Sequence, residues 1–108
     1  MSEPETTPSI RFAVGDLVQH KLFEYRGVII DVDEQFAGTD EWYETTARSR
    51  PPKDRPWYHV LPDGATHQTY VADRNLRPDS TGTPVQHPMV ELFFTHFVNR
   101  RYVNGRLN

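Results

Sequence analysis

Histidine is the residue through which this chain could first do chemistry, and it holds five. His20, His59 and His67 fall on stretches that alternate like strands, so imidazoles from neighbouring strands could converge on one ion. No pair of them has the short spacing that makes a metal motif specific. The plainer reading is half-buried sheet histidines, bonded to backbone or to carboxylates. Asp31 and Asp33 share a strand face, as paired carboxylates must for acid–base work. Ile29 alone flanks that face with apolar surface, so a solvated edge is expected there. Ser2, Ser9, Ser49 and Ser80 lie in tails or loops, outside any nucleophile-elbow pattern. No glycine loop is patterned to cradle phosphate. Cysteine is absent, which removes thiol catalysis, disulfides and Cys-type zinc sites together. The expectation is a protein without catalytic residues, metal or cofactor.

Recognition is better served. Arg55 followed by Trp57, Tyr58 and His59 could stack on an unpaired nucleobase. Strand alternation sends one of Trp57 and Tyr58 inward and the other outward, leaving one exposed aromatic for peptide or nucleic acid. Lys21, Arg26, Arg55, Arg74 and Arg77 come nearest to a basic patch. With Trp57 they form the candidate partner or DNA contacts. Against a non-specific nucleic-acid binder stands the net charge of −3, since such proteins carry a basic excess.

These residues need a scaffold. A chain of 108 residues makes one domain with one modest core, and nine prolines assign much of it to loops. Residues 11–22 and 24–33 read as two strands, and Gly27 marks a bend or bulge in the second. Residues 34–56 lose all periodicity, turning from acidic to basic around Pro51-Pro52, with Trp42 and Tyr43 able to dock as a helical turn. Strands at 57–62 and 66–73 flank the turn Pro62-Asp63-Gly64, and Asn75 to Pro78 reads as a closing helical turn. After a linker, Pro88 opens a helix with Val90, Phe93, Phe94 and Phe97 at i, i+3, i+4 and i+7. That stripe must cover its own barrel or a second subunit. The expected fold is mainly β, a small bent barrel with a long inserted loop and a short C-terminal helix. Its parts are a disordered lead (1–10), a barrel (11–88), and an amphipathic helix with a loose basic tail (89–108). No apolar run is long enough to cross a bilayer, and no leader opens the chain, so a cytoplasmic setting is expected.

The ordered set Phe12-Ala13-Val14-Gly15-Asp16-Leu17-Val18-Gln19-His20-Lys21, Tyr25-Arg26-Gly27-Val28-Ile29-Ile30-Asp31-Val32-Asp33, Pro56-Trp57-Tyr58-His59-Val60-Leu61 and Tyr70-Val71-Ala72 before Asn75-Leu76 resembles the heat-shock protein HspQ family. That family is the bacterial branch of the YccV-like hemimethylated-DNA-binding domain, and the likeness runs from about Phe12 to Pro88. It implies an SH3-like barrel without catalytic activity, in the cytoplasm. It implies binding to hemimethylated DNA and a part in proteolysis, with the Lon protease and its client proteins as partners. It also implies a homo-oligomer, for which the Val90, Phe93, Phe94 and Phe97 stripe is the candidate face.

Overall fold

The computed structural model describes residues 10–104. The expected lead Met1–Ser9, and Arg106 of the basic tail, lie outside the described residues. Alternating apolar residues build strands β1 (Leu17–His20), β2 (Arg26–Asp33), β3 (Trp57–Pro62), β4 (Thr69–Ala72) and β5 (Leu76–Pro78), paired antiparallel in the order β4-β3-β2-β1-β5. Helix α1 (Asp40–Thr46) interrupts the long loop. Helix α2 (Val90–Phe93) precedes a hairpin of β6 (His96–Val98) and β7 (Arg101–Val103). The described residues thus form seven strands in two sheets, a mainly β fold.

The five-stranded sheet is bent without being closed. A flat sheet of five strands would separate its edges by about 19 Å at roughly 4.8 Å per strand. Yet the edge strands β4 and β5 are consecutive, joined by a three-residue 3-10 turn, Asp73–Asn75. So short a connector forces the edges towards each other, and no ladder joins them. The barrel expectation is corrected to a curled sheet with an open seam. The helical turn lies two residues earlier than expected, and Leu76–Pro78 is strand.

Curling encloses one core of Phe12, Val18, Ile29, Tyr58, Val60, Val71 and Leu76. The outer face is covered twice. Near one end, Leu17, Val28, Ile30 and Leu61 meet Val85, Phe94 and Tyr102 from the C-terminal segment. Near the other, Trp57 and Ala72 meet Tyr43 of α1. A bulge between Ile29 and Asp31 divides β2 between these cores: Val32 joins Ile29 inside, whereas Ile30 stays with Val28 outside. Strict alternation alone would group Val28, Ile30 and Val32. Gly27 is not the bulge. Its place is set by close approach, since a Cβ there would lie 2.5 Å from Val60 Cγ1.

The C-terminal stripe is spent on this chain's own sheet. Phe94 is buried, and Val90, Phe93 and Phe97 pack around the same cluster. They do so from one helical turn followed by a strand, not from a helix over residues 90–97. The expected loose tail is β7 as far as Val103, with Tyr102 buried and its hydroxyl bonded to Val85. Gly15 clasps this unit to the sheet. Its N–H donates to Ile29 O, its carbonyl accepts from Tyr102 N–H, and its φ of +98° is one that side chains rarely adopt. A Cβ would collide with Tyr102 O. Gly15→Ala should therefore cost about 2 kcal/mol of strain and displacement. The check is the urea midpoint at unchanged m-value; an unshifted midpoint refutes the clasp.

No helix among the described residues is long and apolar enough to cross a membrane.

Candidate binding groove

The long loop earns its helix through local chemistry. Thr39 caps α1 by accepting from Trp42 N–H at 3.0 Å, and Asp40 and Glu41 sit at the positive end of the helix. Tyr43 is anchored by its hydroxyl, which donates to Pro51 O at 2.6 Å. The docked helix brings Phe36, Trp42, Tyr43, Trp57 and Tyr70 into one aromatic cluster, with ring centroids between 4.9 and 6.3 Å apart. Trp57 is consequently buried, and its indole N–H donates to Pro52 O. Tyr58 is buried on the opposite face. The expectation of one exposed aromatic in this pair fails because the sheet is covered on both faces.

Beside β4 lies a groove of about 540 Å3. One wall is the β1–β2 turn, with Leu22 57% and Phe23 75% exposed. The other runs from Trp42 through Thr46 to Ser49, and the floor is β4 itself. His20 supports the first wall. Its Nδ1 accepts the backbone N–H groups of Leu22 and Phe23, both at 3.1 Å, while its ring stacks on Phe23. Burial lowers its pKa, so the imidazole is held neutral with that nitrogen free to accept. Tyr25 leans across one end, its hydroxyl 2.8 Å from Thr69 Oγ1; burial raises its pKa, which the Thr69 bond partly offsets.

The floor is half-closed: Thr69 and Tyr70 are half-buried, whereas Val71 and Ala72 are buried. Asp73 N–H donates to Pro56 O at 3.0 Å, which fixes the phase of the β3–β4 ladder. By antiparallel alternation Thr69 and Val71 turn their amides to β3, and Tyr70 and Ala72 turn theirs away from it, that of Ala72 in a buried place.

Beside the groove, Asp33 Oδ2 accepts from the Tyr70 hydroxyl at 2.6 Å and lies 3.1 Å from His59 Nε2. Burial and that bond hold the Tyr70 hydroxyl well above the usual tyrosine pKa, so it is a donor and not a base. Ligand atoms of Asp31, Asp33 and His59 lie within 4.8 Å of one another. They could offer two oxygens and a nitrogen to a cation, although Asp33 is already engaged. The three sequence-selected histidines do not converge: His20 props the turn, and His67 is exposed beside His87.

The candidate cations separate into two groups. Arg26 is locked, bonded to Asp79 at 2.9 Å and Asp63 at 3.3 Å. Lys21, Arg55, Arg74 and Arg77 are exposed, with no carboxylate within 4 Å among the described residues. Three of them lie at or beside the 3-10 turn: Arg74 is within it, Lys21 N–H donates to Asn75 O, and Arg77 pairs with Gln19. Arg48, which sequence reasoning passed over, joins them on the groove wall, and Arg74 donates to the neighbouring Ser49 O. Leu22 and Phe23 were also missed. Their signal was two large apolar side chains in a turn between Lys21 and Glu24.

A family model described as "Hemimethylated DNA-binding protein YccV like" matches residues 10–101, nearly the whole folded part.

Proposed function

Because the chain belongs to the YccV-like family, we propose that it is a non-catalytic, stress-related binding protein of the cytoplasm that steers proteolysis. In this reading the groove receives a segment of an ATP-dependent protease such as Lon, or of its client proteins. The observation that carries it is the pair Leu22 and Phe23, held in the open over an aromatic-lined groove by the neutral His20. Exposed apolar residues beside a concave site mark partner contact. The absence of catalysis is supported by engagement of the polar groups: His20 Nδ1 is taken by backbone, and His59 and Tyr70 share Asp33. The family likeness to HspQ points to the same partner class. With Phe94 buried and Val90, Phe93 and Phe97 packed on this chain's own sheet, a homo-oligomer would draw on other exposed apolar residues, among them Leu92 and Val98 of the C-terminal unit.

A second reading rests on Lys21, Arg48, Arg55, Arg74 and Arg77, which have no carboxylate within 4 Å among the described residues. In that reading they contact the phosphates of a hemimethylated duplex.

The two are separated by measuring capture of Lon beside binding to hemimethylated, fully methylated and unmethylated duplex. We expect Leu22→Ser with Phe23→Ser to reduce protease capture at least tenfold while Arg74→Ala with Arg77→Ala leaves it unchanged. Each phosphate-contacting arginine removed should flatten the logarithmic salt dependence of duplex binding by about 0.9. Capture indifferent to Leu22 and Phe23 would overturn the first reading.

A further inference from the structure

The turn that carries Leu22 and Phe23 is held by a histidine that can do so in one charge state only. His20 is 5% exposed, and its Nδ1 accepts the backbone N–H groups of Leu22 and Phe23, both at 3.1 Å. An imidazole nitrogen accepts only through its lone pair, so Nδ1 is bare and Nε2 carries the proton. Acid can add its proton only at Nδ1. There the new N–H would face two amide N–H groups, and both bonds would be lost together. The turn has reason to move once they go. Glu24 sits at φ +63°, a strained conformation that persists only while its surroundings impose it. Glu24 N–H donates to His20 O and His20 N–H to Tyr25 O, which closes the base of the hairpin without reaching Leu22 or Phe23.

The groups around the ring offer an imidazolium little support. β2 contributes Tyr25, with ring centroids 5.1 Å apart, and β5 sets Leu76 opposite His20. The 3-10 turn presents Asn75, and its Asp73 is paired with Arg11. Across the groove stand His59 from β3, Tyr70 from β4 and Arg48 from the loop after α1, and no carboxylate lines it. On the hairpin itself Lys21 and Glu24 are exposed, and Glu24 makes no ion pair among the described residues.

From this arrangement we propose that His20 is a proton-sensitive latch: protonation of Nδ1 frees the Leu22–Phe23 turn, removes that wall of the groove, and makes the protein release its partner in mild acid. The inference rests on the reading of the groove as a protein-binding site and adds its regulation. Burial holds the imidazole below its ordinary value of 6.5, so the folded, latched state binds this proton more weakly than the unfolded chain does. The latch is therefore complete above 6.5 and is lost as pH falls through the lower folded value.

The experiment is a proton and nitrogen-15 NMR titration of the full chain from pH 7.5 to pH 4.5. The His20 ring and the Leu22 and Phe23 amides should shift with one common midpoint, below 6.5. His20→Asn keeps a side-chain acceptor for the same two amides and removes the titration, so there the amides should hold still. Capture of Lon over the same range should halve at that midpoint and fall about tenfold with each further pH unit. Dividing by capture with His20→Asn at each pH cancels the response of the protease itself. Leu22 and Phe23 amides that ignore the His20 ring, or that shift equally in His20→Asn, would overturn the latch. Should His20→Asn fail to fold, the presence or absence of a common midpoint in the wild type decides alone. Amides that shift while capture keeps its neutral strength would overturn the release, and with it the inference. Absence of capture at every pH, with the latch titrating as expected, would overturn the proteolysis reading and leave the latch standing.

Discussion

Trp57→Ala should destabilise this protein by about 3–5 kcal/mol, the usual cost of emptying a large aromatic site in a core. A small domain is stable by only about 5–15 kcal/mol, so the variant is expected to be partly unfolded at physiological temperature. Trp57 is 1% exposed, and its indole touches Phe36, Trp42, Tyr43 and Tyr70. Its removal also orphans Pro52 O. Because α1 packs onto this ring, its helix should loosen together with the sheet. Trp57→Phe should keep most of the packing and lose mainly the hydrogen bond, at about 1–2 kcal/mol. Urea unfolding followed by far-ultraviolet dichroism decides the matter. A Trp57→Ala protein of near-native stability would mean that the aromatic cluster is peripheral, and would restore Trp57 as a contact residue.

The second large effect belongs to Arg26. Its guanidinium bridges Asp79, whose side chain is 1% exposed, and Asp63, and also donates to Thr83 O. Arg26→Met keeps the aliphatic stem and leaves Asp79 charged in a buried place, at about 3–4 kcal/mol, within the range for breaking a buried pair. The same pair sets an acid limb of stability. Burial alone would raise the pKa of Asp79, but hydrogen bonds from Arg26, Thr81 and Gly82 outweigh it and hold it below the ordinary value. The folded state therefore binds this proton more weakly than the unfolded chain does. The stabilisation is complete above the unfolded value of about 3.8 and is lost as pH falls through the lower folded value. Unfolding free energies at pH 7 and pH 3 should show the wild type losing more on acidification than Arg26→Met. Equal losses would show that Asp79 does not contribute to the acid limb.

The strands were legible wherever alternation and turns coincide, as at Val18, Val60, Pro62-Asp63-Gly64 and Val71. The C-terminal segment was misread for a definite reason. Val90, Phe93, Phe94 and Phe97 fit a helical period, but so do residues that turn once and then enter a strand facing the same cluster. Four spaced apolar residues do not distinguish these cases. The hairpin with Tyr102 does, and that pairing is decided by where Gly15 can receive it.

The candidate site was legible in its parts and not in its arrangement. Counting charges selected Lys21, Arg55, Arg74 and Arg77, which remain exposed, and Arg26, which does not. No local pattern shows that Asp63 and Asp79, far along the chain, converge on one of five similar cations.

By itself the sequence determined the mainly β class, the apolar residues that form the cores, and the lack of thiol chemistry. These follow from local periodicity and composition. Only the tertiary structure decided which aromatic is buried, that the sheet curls without closing, and that the β1–β2 turn and the α1 loop wall a groove beside β4. The physical reason is that each depends on contacts between distant segments: α1 laid over Trp57, a three-residue connector drawing β4 towards β5, and Leu22 and Phe23 propped on a buried histidine.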